Sequence, residues 1–188
     1  MLPVSQDNRL QSAIDSLFIE ALRQGQTQWF RVSSGSMHPL LKVGDAIFIE
    51  PARKIGIGEI AAFETEEGLV VHRIVDIQVK DGNVRLLQLP DVNLQASWIS
   101  ESAIVGRVIA IRRGRRQIDL SHPLARWFGK VTSHIRYRLY LERETTLLRL
   151  ALRASSRLLL VVGNRCIEYG SRTATAPEFP GLEERYRV

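Results

Sequence analysis

The stretch Val32-Ser33-Ser34-Gly35-Ser36-Met37-His38-Pro39-Leu40-Leu41-Lys42-Val43-Gly44-Asp45 runs directly into the apolar, β-branched run Ala46–Glu50. It reads as an irregular turn that feeds a strand. Gly35 lets the backbone approach a neighbour closely, Pro39 removes a donor that a sheet ladder would need, and Met37 can anchor the turn in a core. Lys42-Val43-Gly44-Asp45 places a glycine where a tight reversal needs one. Around this segment, residues 28 to 120 hold short runs rich in β-branched residues. Strands are expected near Trp29–Val32, Ala46–Glu50, Glu59–Glu64, Leu69–Val79, Val84–Leu89, Val105–Arg112 and Gln117–Leu120. Their close spacing, with turns at Glu66-Glu67-Gly68, Lys80-Asp81-Gly82-Asn83 and Arg113-Gly114-Arg115, predicts a compact, largely antiparallel sheet or barrel.

A second segment carries a titratable group. In Leu69-Val70-Val71-His72-Arg73-Ile74-Val75, strand alternation puts His72 on one face with Val70 and Ile74, away from Arg73. Desolvation on that apolar face disfavours imidazolium, so His72 is expected neutral near pH 7 with a ring nitrogen free to accept a proton. The alternative is a hydrogen-bonded core histidine.

Taken together, the two segments resemble the boxes of type I signal peptidases. The first box of that family reads serine, glycine, nucleophilic serine, methionine, any residue, proline, and a glycine-aspartate pair five residues later. Ser34, Gly35, Ser36, Met37, Pro39, Gly44 and Asp45 match it. The resemblance implies Ser36 as nucleophile and an oxyanion hole formed by the Ser34 side chain and the Ser36 backbone N–H. The arrangement is physically reasonable, because a serine attacking a carbonyl needs a fixed turn whose N–H groups face the substrate unpaired. A serine hydroxyl also needs a base within reach. The second box implies His72 in that role, the histidine version found in the endoplasmic-reticulum and archaeal branch. The third box implies Asp91, with Asn93 and Gly106-Arg107 also fitting, while Pro90 replaces a glycine and Ser97 stands where a later acid belongs. Asp91 either orients His72 or braces the sheet; without it a Ser36–His72 dyad is the minimal engine.

The flanks are helical. Leu10, Ala13, Ile14, Leu17, Phe18, Ala21 and Leu22 recur at three- and four-residue steps, with Asp7 or Asn8 as cap and Gly25 as stop. After Ser121-His122-Pro123 a pair of helices is expected, over Leu124–Leu141 and Thr145–Val162, the second with Arg149, Arg153 and Arg157 as a basic stripe. The fold class is therefore mainly β with flanking helices, and the resemblance makes it a signal-peptidase/LexA-like antiparallel β domain. The expected organisation is an amphipathic helix over 1–27, the β domain over 28–120, a basic helical extension over 121–165, and a polar tail over 166–188 in which Pro177 and Pro180 argue for disorder.

Composition narrows the function classes. The 188 residues are 45% hydrophobic and 24% charged, as in an ordinary globular protein. Cys166 is the only cysteine, which excludes an intrachain disulfide and a cysteine metal cluster, and no metal or other cofactor is expected. His122 and His134 lack metal-ligand neighbours at useful spacing, and His38 occupies the variable position of the first box. No transmembrane helix is expected, since the apolar run Leu158–Val162 falls far below the roughly 20 residues a span requires. Of the 26 basic residues 17 lie beyond residue 100, against 8 of the 20 acidic ones. That asymmetry suits peripheral contact with an anionic membrane. Nucleic acid, resting only on Arg112, Arg113, Arg115, Arg116 and the later arginines, is not an expected partner. A LexA-type repressor is not expected either, since such proteins carry a multi-helix DNA reader and a lysine base. The function that follows from the resemblance is a serine endopeptidase removing a leader or signal segment from a precursor protein or peptide. The alternative is a catalytically inactive binding or regulatory module with the same fold.

Overall fold

The computed structural model describes residues 6–52 and 54–141. Helix α1 (Gln6–Arg23) precedes strands β1 (Gln28–Arg31), β2 (Ala46–Pro51), β3 (Ile60–Thr65), β4 (Gly68–Lys80), β5 (Asn83–Leu89) and β6 (Ser97–Ser100). A 3-10 turn at Glu101–Ala103 leads to β7 (Ile104–Arg113), β8 (Arg116–Asp119) and helix α2 (Pro123–Leu141). The strands form one sheet in the order β1-β2-β7-β3-β4-β5-β6, with β8 also paired to β7. Every pairing is antiparallel. The mainly β fold with flanking helices is thus observed, and the expected strands lie within two residues of the observed ones. Strand β6 is not among the expected ones. Its four residues hold only Trp98 and Ile99 between polar ends, too little alternation to mark a strand. What makes it one is the partner β5, which pairs Leu87 with Trp98 and sets Arg85 over the Trp98 ring.

Both helices pack on this sheet. Ile19 and Leu22 of α1 and Ala125 of α2 join one core with Met37, Leu40, Leu41, Ile47, Ile49, Val105, Val108 and Ile111. A second cluster holds Ala61, Phe63, Ile74, Leu86 and Ile104. A third, with Val75, Leu87 and Leu89, is covered by Tyr137 and Tyr140 of α2.

The rotation of α1 differs from its apolar stripe. Leu17 is 73% exposed, and Asp15 is buried. Asp15 Oδ2 accepts the Leu69 N–H at 3.4 Å where β4 begins, beside Gly68, whose φ of +116° and lack of a Cβ make room for the carboxylate. A buried carboxylate must find a donor, and that requirement outweighs the exposure of one leucine.

His122 Nδ1 accepts the Leu124 N–H and so caps α2, which then runs over β4. Ser133 Oγ donates to Ile74 O at 3.1 Å and Tyr137 Oη to Asp76 Oδ2 at 2.9 Å. One turn before Ser133, Gly129 meets Gly58 backbone to backbone, with a Cβ at Gly129 falling 2.6 Å from Gly58 O. The other half of the expected helical pair, the Arg149/Arg153/Arg157 stripe, Cys166 and the tail lie outside the described residues.

Gly129→Ala tests this contact. Helix propensity favours alanine by about 1 kcal/mol, but the clash with Gly58 O cannot be relieved by a side-chain rotation. We expect net destabilisation of about 1–3 kcal/mol in urea unfolding, the range for overpacking.

Candidate active site

The serine loop is closed at its base and anchored at its middle. Val32 N–H donates to Asp45 O and Gly44 N–H to Val32 O, both at 2.9 Å. Asp45 is buried and accepts an Arg113 fork, Nε to Oδ1 at 2.9 Å and Nη2 to Oδ2 at 2.7 Å, together with the Lys42 N–H at 2.8 Å. Arg113 Nη2 also donates to Leu40 O. The glycine-aspartate pair therefore ties the loop to the end of β7, while Met37, Leu40 and Leu41 sink into the core. Ser36 is held half-buried between exposed Gly35 and buried Met37. Gly35 does not serve the close backbone approach expected of it: its φ is not positive, and a Cβ there would meet no atom within 4 Å. Its effect is to leave the face beside Ser36 open.

Ser34 Oγ and Ser36 Oγ lie 3.3 Å apart in hydrogen-bond contact. Among the described residues no backbone acceptor takes the Ser36 N–H. The backbone carbonyl of Ser36 accepts the Val92 N–H at 2.9 Å, which joins the serine loop to the connection between β5 and β6.

His72 sits on β4 opposite Ala61 of β3, with the Phe63 ring centroid 6.0 Å from its own. Its Nδ1 lies 2.6 Å from Gln88 Oε1, and Gln88 Nε2 donates to Ser97 Oγ at 2.5 Å. With an amide oxygen facing it, Nδ1 carries the proton and Nε2 is the basic nitrogen. Burial lowers the His72 pKa below the usual 6.5, against the opposing effects of the Gln88 hydrogen bond and the Asp91 charge. Ser36 and His72 share no hydrogen bond among the described residues. The hydroxyl is engaged with Ser34 and the ring with Gln88.

Asp91 is elsewhere engaged. Arg73 Nε meets Asp91 Oδ1 at 2.9 Å and Arg73 Nη2 meets Oδ2 at 2.7 Å, with both side chains almost fully buried. Arg136 of α2 approaches the same carboxylate, Nε to Oδ1 at 3.7 Å, and donates through Nη2 to Pro90 O and Asn93 O. Of the two roles open to Asp91, the geometry supplies the brace; the group hydrogen-bonded to the His72 ring is Gln88. Ser97, at the position of the later acid, reaches His72 only through Gln88. Gly106-Arg107 is also structural: a Cβ at Gly106 would fall 2.6 Å from Glu50 O, and Arg107 pairs with Glu50 and Glu59.

Gln88 and Arg136 are the residues that sequence reasoning missed. Gln88 had a signal, a polar side chain inside Leu86-Leu87-Gln88-Leu89, where alternation and burial both call for a hydrogen-bond partner. Arg136 had none that separates it from the other arginines of α2. Of the arginines considered for nucleic acid, Arg113 is bound to Asp45 and Arg112 lies over the Trp29 ring at 5.0 Å. No group of three metal-ligating side chains occurs among the described residues, and no described helix is long and apolar enough to cross a membrane.

The family model described as Peptidase S24-like matches residues 4–109, from the start of α1 into β7. No curated protein matches the chain.

Removing Arg73 takes both hydrogen-bonded donors from the buried Asp91 carboxylate and leaves only Arg136, at 3.7 Å, facing it. Arg73→Met is expected to destabilise the protein by about 3–5 kcal/mol in denaturant unfolding. The exposed pair Arg23–Glu64 is worth at most about 1 kcal/mol by the same measurement.

Proposed function

The chain belongs to the Peptidase S24-like family, and from that premise we propose that it is a serine endopeptidase that cleaves a leader or signal segment from a precursor protein. The observation that carries this reading is the Ser34–Ser36 hydroxyl pair on a tied loop, beside an N–H with no backbone acceptor among the described residues. The hydroxyl of Ser36 attacks the scissile carbonyl carbon and passes its proton to His72 Nε2. The Ser36 N–H and the Ser34 Oγ–H receive the oxyanion. His72 then gives the proton to the departing amine as the C–N bond breaks, leaving an acyl-enzyme that water hydrolyses by the same base.

Gln88 supports the base as a neutral orienting group. It fixes the Nδ1–H tautomer, the role a carboxylate plays in a serine triad, without adding a charge that would raise the imidazole pKa. Asp91 contributes at a distance through its field and by holding Arg73 next to His72. The open face at Gly35 suits an extended peptide with small residues at the cut. The basic second half of the chain suits an anionic membrane surface at which a membrane-held precursor is met.

A histidine branch of the type I signal peptidases and a self-cleaving regulator of LexA type make different products. Comparison of proteome N-termini between wild type and Ser36→Ala in the native host separates them. We expect specific precursor termini to vanish in the variant, with in vitro cleavage reduced by roughly three orders of magnitude or more. Loss of fragments of the chain itself alone would assign self-cleavage, and unchanged termini would leave a binding module.

The pH profile tests the base. A protonated His72 cannot accept a proton, and its pKa is lowered by burial, so the rate should fall on the acid side with a midpoint below 6.5. Gln88→Glu puts a carboxylate against Nδ1 and should move that midpoint upward; Gln88→Leu should lower the rate on the order of 10²-fold. A midpoint indifferent to residue 88 would remove Gln88 from the reading.

A further inference from the structure

The segment Pro90-Asp91-Val92-Asn93 has an unusual set of attachments. Its two ends, Pro90 O and Asn93 O, both accept from the same nitrogen of Arg136. Its carboxylate, on Asp91, is taken by Arg73. From its interior, the Val92 N–H goes to Ser36 O at 2.9 Å. Val92 is 57% exposed, so packing does not place this residue; its backbone ties do. Arg136 is itself 4% exposed, and burying a guanidinium is costly unless its donors are used for something specific. It also stands on α2, beyond the residues 4–109 that the family model matches.

We propose that Arg136 is a positioning residue for the nucleophile: it pins both ends of the 90–93 loop so that the Val92 N–H holds the Ser36 carbonyl, and with it the height of the Ser36 hydroxyl. The inference rests on the serine-nucleophile reading, but its structural half stands apart from it. Without Arg136 the loop loses both end attachments, and the hydroxyl shifts relative to the groups around it. A displacement of this kind alters the rate of attack more than substrate affinity, since near-attack geometry is lost with the binding surface intact.

The test uses the full chain and p-nitrophenyl acetate as a small acyl donor, with Ser36→Ala defining the background. In Arg136→Met the Ser36-dependent release of p-nitrophenolate should fall roughly 10-fold or more in kcat with little change in KM. Arg136→Lys, which keeps a cation able to reach the carbonyls, should recover part of the loss. In the same proteins, NMR amide exchange at Val92 should quicken at least about 10-fold in Arg136→Met, relative to β3 and β7 amides. Val92→Pro removes the donor with Arg136 in place and should reproduce the kinetic loss; it decides the matter if Arg136→Met does not fold. Wild-type kinetics in Val92→Pro, or unchanged Val92 exchange and kinetics in folded Arg136→Met, would overturn the proposal. Release of p-nitrophenolate that is undiminished in Ser36→Ala would overturn the nucleophile instead, and Val92 exchange would still report on the clamp.

Discussion

A carboxylate in a protein interior must be matched by donors or not be ionised there, and this fold is organised around one that is matched. Asp91 lies between Arg73 of β4 and Arg136 of α2. The three side chains come from a central strand, a loop and a helix that are far apart in the chain. Their pairing offsets the desolvation of each only when all three elements are docked. Docking in turn needs the Gly58–Gly129 contact, which lets α2 approach closely enough for Ser133, Arg136 and Tyr137 to reach the sheet.

None of the charges so gathered is hydrogen-bonded to the proposed base, which the Asp91 carboxylate reaches only through its field. Asp91 is spent on arginine, and the group that touches His72 is an uncharged amide held in turn by Ser97. Had the carboxylate faced the ring, it would have favoured imidazolium; with Gln88 there, burial dominates and the ring stays neutral to lower pH. Asp45 and Arg113 follow the same logic for the serine loop. A buried ion pair fixes the backbone, and the Ser36 hydroxyl is left to a neutral neighbour, Ser34.

Much of this was legible beforehand. The strand boundaries follow from β-branched runs between glycine turns, because side-chain alternation and φ/ψ preference are properties of a few adjacent residues. His72 does share its face with Val70 and Ile74, as alternation requires. Strand β6 and the rotation of α1 were not legible. The first exists because β5 offers it a ladder, the second because Asp15 finds the Leu69 amide across 54 positions.

The amino-acid order alone determined the serine turn, the strand that carries the histidine, and the helices on either side, all of which arise from periodicity and local backbone chemistry. Tertiary structure decided who pairs with whom. Gln88 rather than Asp91 reaches the His72 ring, although Asp91 is only three residues further along, and Arg136 reaches Pro90 across 46 positions. A sequence lists donors and acceptors without their directions. Direction comes from the register of β4 against β5 and from the seat of α2 on the sheet, and both are products of the packed core.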